Sequence, residues 1–83
     1  MKTRQATMTL LAGRAAGSTI CPSEVARVMA RERGHPDDWR EDMAGVHDAI
    51  DLMVADGVVL LSWKGEGLAA RAGPYRIRRR SEA

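Results

Sequence analysis

The sequence contains no phenylalanine, and its aromatic residues are Trp39, Trp63 and Tyr75. Six Leu, six Val, three Ile and five Met supply the rest of the bulky apolar surface. In 83 residues that furnishes one small core, because a chain this short buries only about 60–65% of its unfolded surface. An enclosed ligand chamber would be carved from that same core. A deep active site and a small-molecule substrate are therefore not expected, and any function belongs to the surface. The chain is at most one domain, expected over residues 3–79, with 80–83 as a flexible tail.

Cysteine is nearly absent too. Cys21 has no partner for an intramolecular bridge, whereas secreted domains of this size are usually stapled. A reducing, cytoplasmic setting is expected. No apolar run approaches the ~20 residues of a membrane span. The opening "MKTRQATMTLLAGRAAGS" loosely imitates a signal peptide, but its apolar part, Met8 to Ala12, is short and closed by Gly13 and Arg14. The chain is expected to be complete as it stands. His35 and His47 are the only histidines, too few with one cysteine for a metal site of three or four ligands. There is no glycine-rich phosphate loop, since "KGEG" does not lead into a helix. No cofactor or catalytic residue is expected. Cys21 at a helix N-terminus is the one enzyme-like feature, because such a thiol can be activated. It lacks a resolving cysteine and a neighbouring histidine, so a small structural residue is the favoured reading. His47 and Asp51, four apart, are expected to form a surface pair.

Charge is present and strongly partitioned. Residues 1–34 carry +4, residues 35–56 carry −6 and residues 57–83 carry +4, for a net +2. Segregation of this kind has consequences that the net charge hides.

Residues from about Thr3 to Ala16 read as a helix with Met8, Leu11 and Ala15 inward and Gly17 as the stop. "STICPSEVARVMARERG" is the best-punctuated segment. Thr19 to Cys21 is a short extended piece, Pro22 suits the first helical position, Cys21 is then the N-cap, and Glu24 faces back to it. Ile20 and Val25 have the spacing of a hydrophobic staple. Val25, Val28 and Met29 form the buried stripe, and Gly34 ends the helix. The third helix opens with Asp37 or Asp38 as cap, and its seam of Trp39, Met43, Val46, Ile50 and Met53 runs toward Gly57. "VVLLSW" and "PYRIRRR" read as two strands joined by a loop over 64–73. Tyr75 and Ile77 alternate with Arg76 and Arg78, so one face is apolar and the other cationic. Trp63 and Tyr75 are expected in the core. Residues 1–5 and 81–83 are expected to fray. The result is an α+β domain of winged-helix-like plan, three helices plus a C-terminal β-hairpin as the wing.

The phrases "STICPSEVAR", "WR", "KG" and "GPYRIRRR" resemble a small bacterial family, domain of unknown function 3253, over roughly residues 5–79. The resemblance implies a winged-helix-like fold in a cytoplasmic bacterial protein and brings no established activity. Asp48, Asp51 and Glu66 depart from that family's more basic pattern.

Two functions from different classes follow. The hairpin cations Lys64, Arg76, Arg78, Arg79 and Arg80 suit contact with DNA or RNA phosphates, weak and without sequence preference, with a log–log salt slope of about −4. The third helix does not suit a groove. Each carboxylate–phosphate encounter costs ~1 kcal/mol in water and up to ~4 near a protein surface. Several together exceed the ~1–3 kcal/mol of one good bidentate base contact. The alternative is a protein-docking module, or self-association, in which Asp48 and Asp51 of the acidic helix act together with the basic hairpin. Without either, the hairpin cations would simply keep an edge strand soluble.

Overall fold

A computed structural model describes residues 2–80; Met1 and the expected tail residues 81–83 lie outside the described part. The chain forms α1 (Thr3–Ala12), β1 (Thr19–Ile20), α2 (Pro22–Glu32), a 3-10 helix (Pro36–Asp42), α3 (Met43–Ala55), β2 (Val59–Trp63), β3 (Glu66–Leu68) and β4 (Arg76–Arg79). The fold is α+β, with three α-helices and one antiparallel sheet of order β1-β4-β2-β3 among the described residues.

The helices start and stop where backbone chemistry requires. The Cys21 N–H donates to Glu24 Oε2 at 2.7 Å, so Glu24 caps α2 from its third position. Ile20 and Val25 are both fully buried, as a staple requires. At the other end Gly34 takes φ +82°, and the N–H groups of Gly34 and His35 donate to the carbonyls of Arg31 and Ala30. Gly57, at φ +75°, ends α3 in the same way, with Gly57 and Val58 bonding Val54 and Met53. The core gathers Leu11 from α1, Val25 and Ala26 from α2, Val46, Ile50 and Met53 from α3, and Leu61, Tyr75 and Ile77 from the sheet side. Thr7, the one buried polar residue of the described chain, returns its hydroxyl to the Thr3 carbonyl at 2.9 Å.

Four expectations are corrected. The first helix stops at Ala12, four residues early, because Gly13 is a poor helix interior and the chain turns there; Ala15 is exposed. The third helix is not continuous. Its first part is the 3-10 turn, Asp38 leaves helical geometry (φ −101°, ψ 25°), and neither Asp37 nor Asp38 caps it. Arg33 braces this geometry, its guanidinium bonding the Asp42 carboxylate at 3.1–3.3 Å and the Asp38 carbonyl at 3.0 Å. The loop expected over 64–73 contains a further strand. Lys64 and Gly65 (φ +51° and +84°) make a tight turn, so the hairpin is β2–β3, with Trp63 opposite Glu66. Trp63 lies at that tip, past the cover of the helices, and is 39% exposed.

Candidate nucleic-acid interface

Strand β4 sits inside the sheet, between β1 and β2. It is therefore not the edge strand that charge alone would protect, and its arginines face a sheet surface. Arg78 stands opposite both Thr19 and Leu60, and Arg76 opposite Ser62. These residues share the outer face of the sheet, away from the buried Ile77, Leu61 and Ile20. Arg79 pairs with Val59 and so points to the other side. Arg80 continues the outer row. Its backbone N–H donates to the Val58 carbonyl at 3.2 Å, and its guanidinium lies across Gly57, where a Cβ would meet Nη1 at 3.0 Å. That position puts a cation at the carbonyl end of α3, which favours it. Lys64 projects from the β2–β3 turn beyond the opposite end of the row.

The five expected cations are thus not equivalent. Arg76 is engaged: its Nε donates to Thr19 Oγ1 at 3.0 Å and its Nη2 to the Thr19 carbonyl at 3.2 Å. Among the described residues, Lys64, Arg78, Arg79 and Arg80 have no carboxylate at ion-pair distance. Alternate residues of a strand stand about 6.6 Å apart, so the backbone positions of Arg76, Arg78 and Arg80 form one row on the outer face, with the Arg76 guanidinium drawn to Thr19 and that of Arg80 to Gly57.

The acidic segment is compensated from neighbouring elements. Arg71, in the loop before β4, clasps Asp51 through two bonds of 2.9 Å. Arg4 of α1 reaches Asp56 at 2.8 Å, and Arg33 holds Asp42 and, at 3.6 Å, Glu41. Four of its seven carboxylates therefore have a guanidinium partner. Asp37, Asp38 and Asp48 are exposed with no such partner among the described residues. The Arg71 bonds hold the Asp51 carboxyl below its usual range.

His47 does not pair with Asp51 as expected. Its Nδ1 lies 2.7 Å from the Tyr75 hydroxyl, bridging α3 to the residue before β4. Burial, with help from the nearby Arg71 charge, pushes the His47 imidazolium down against the opposing pull of Asp51 and Asp48. Burial pushes the Tyr75 phenol up to about 12. Cys21 is half-buried, and its sulfur accepts the Ser23 hydroxyl at 3.1 Å. No group of three or more His, Cys, Asp or Glu is placed to hold a metal ion among the described residues.

The expectations from sequence passed over a second cationic group. Arg27 and Arg31 of α2 and Arg40 of the 3-10 turn gather around Trp39. The signal was present as two arginines at helical spacing on the exposed side of α2, plus an arginine beside the tryptophan.

The family model described as Protein of unknown function (DUF3253) matches residues 1–80. The chain belongs to that family. No curated protein matches it. The DUF3253 match spans every described element, so the sheet, its row of arginines and the clasped acids all lie inside the family domain. No helix among the described residues is long and apolar enough to cross a membrane.

Proposed function

We propose that this DUF3253 domain is a winged-helix-like binding module that grips nucleic-acid phosphates with the outer face of its sheet and does not read bases. The observation that carries the proposal is the contrast in pairing. The acids of the segment between α2 and the sheet are largely clasped by Arg4, Arg33 and Arg71, while Arg78 and Arg80 of the outer face and Lys64 at the turn beyond it have no carboxylate partner among the described residues. Base reading calls for Arg, Asn or Gln on a helix that enters a groove. The exposed side of α3 offers Ala44, Gly45, Asp48 and Leu52 instead. With three or four phosphates neutralised, the log–log salt slope is about −3. The docking alternative loses support at Asp51, which Arg71 already occupies.

The test is titration of labelled duplex and single-stranded DNA with the wild type and with Arg78→Gln, Arg80→Gln, at low and at physiological salt. The expected result is binding at low salt that does not depend on sequence and falls at least tenfold in the variant. Equal binding by both proteins, or none at low salt, overturns the proposal.

A further inference from the structure

Between α2 and the 3-10 turn lies an open cleft of about 380 Å³, lined by Arg27, Arg31, Pro36, Asp37, Trp39 and Arg40. Its walls come from two elements that Arg33 locks together through Asp42, Glu41 and the Asp38 carbonyl. The 3-10 winding lays Trp39, half-buried, against α2. The Arg27 Cζ lies 4.7 Å and the Arg40 Cζ 4.4 Å from the centre of the indole ring. Arg31 follows Arg27 by one helical turn and lines the same cleft.

The three guanidinium groups have no carboxylate at ion-pair distance among the described residues. The neighbouring Arg33 shows the contrary case, bound to two carboxylates. Asp37 is the only acid in the lining, so the cleft carries three positive charges against one negative. Cation–π stacking orients the Arg27 and Arg40 guanidinium groups against the indole while leaving N–H edges for an acceptor. Part of the side-chain entropy that anion binding would otherwise cost is already lost in the unliganded protein. A planar fork of donors matches tetrahedral phosphoryl oxygens, which can take two N–H groups from one guanidinium.

We propose that Arg27, Arg31 and Arg40, arranged around Trp39, form a binding site for a phosphoryl group, separate from the sheet face. The group reaches it either as a small phosphate or as the phosphorylated end of a nucleic-acid strand, two sources with the same recognising chemistry. Trp39 acts as the positioning residue: it holds two of the arginines in place and leaves its own faces largely occupied.

The experiment follows the Arg Nε–H and Trp indole resonances while inorganic pyrophosphate is added, and separately with single-stranded DNA bearing a 5′-phosphate or a 5′-hydroxyl. Pyrophosphate is expected to shift Arg27, Arg31, Arg40 and the Trp39 indole, while the Trp63 indole stays in place. Arg27→Gln with Arg31→Gln, both at exposed helical positions, should weaken pyrophosphate roughly tenfold or more, the loss of about one charge-assisted hydrogen bond. Arg78→Gln, Arg80→Gln should leave it unchanged, which separates this site from the sheet. A preference for the 5′-phosphate strand over the 5′-hydroxyl strand, removed by the α2 variant, assigns the strand end as source; equal binding of the two strands assigns the small phosphate. Pyrophosphate that shifts none of these arginines, or binds the α2 variant as well as the wild type, overturns the proposal even if DNA still binds the sheet.

Discussion

His47 and Tyr75 join α3 to the sheet through one short contact, and the chemistry of that pair gives the domain a pH dependence. The folded state holds His47 below its ordinary 6.5, chiefly by burial and the Arg71 charge. The unfolded chain therefore takes up a proton before the native one does, and stability must fall as pH drops through 6.5 toward the folded value, then level off. Glu24 behaves differently. Partial burial pushes its carboxyl up, but Arg14, the Cys21 amide and Arg76 outweigh it and hold the group below its usual 4.5. Its contribution is present above 4.5 and lost only as pH falls through the lower folded value, so the two windows separate. Urea midpoints between pH 7.5 and 5.5 are expected to decline in the wild type and to flatten in His47→Gln; the same decline in both proteins would remove His47 as the cause. Of these residues, Cys21 and Glu24 were legible as a cap because Pro22 fixed the helical frame. The partners Arg14, Arg71 and Tyr75 were not, because each contact joins positions that only the tertiary fold brings together.

The sheet hairpin shows the same limit at the scale of an element. Val59 to Trp63 announces itself by apolar and β-branched residues, whereas β3 is only Glu66, Gly67 and Leu68 and exists because a two-residue turn folds it back onto β2. The turn places Lys64 at φ +51°, a left-handed conformation that a long side chain adopts at a cost and asparagine adopts readily. Lys64→Asn should therefore stabilise the domain by about 0.5–1 kcal/mol while weakening DNA by the loss of one cation, a shift of about one unit in the salt slope. Thermal unfolding and a salt titration read the two effects on one variant. A lysine retained at a strained tip for its charge gives opposite signs; a fall in stability would show that the turn tolerates lysine without strain. The α3 seam was legible from its apolar period, since Val46, Ile50 and Met53 are indeed buried. Its kinked entry was not, because the contact that braces it, Arg33 reaching nine residues forward to Asp42, has no signature in the apolar period.

Across the molecule, the three charge blocks visible in the sequence do not survive as three separate surfaces. Folding brings Arg4 from the first block, Arg33 from the end of α2 and Arg71 from the third onto the acids between them. Each exposed pair contributes little to stability by itself, but together they reduce the field that an acidic helix would present to a cationic sheet on another copy. A head-to-tail contact of that kind leaves a free surface at each end, so it propagates unless its rotation closes a ring. The pairs within the chain are therefore expected to act against self-association while leaving the outer sheet face positive. Replacing Arg4, Arg33 and Arg71 by Gln exposes the four carboxylates and takes the net charge from +2 to −1. The wild type is expected to sediment as a monomer at low and physiological salt. The triple variant is expected to associate at low salt and to dissociate as salt screens the contact. A further Arg78→Gln, Arg80→Gln change should abolish that association, because it removes the surface to which the exposed acids bind. A triple variant that stays monomeric at low salt would show that the clasped pairs serve the local structure of α3 and its flanking turns, with no part in keeping copies apart.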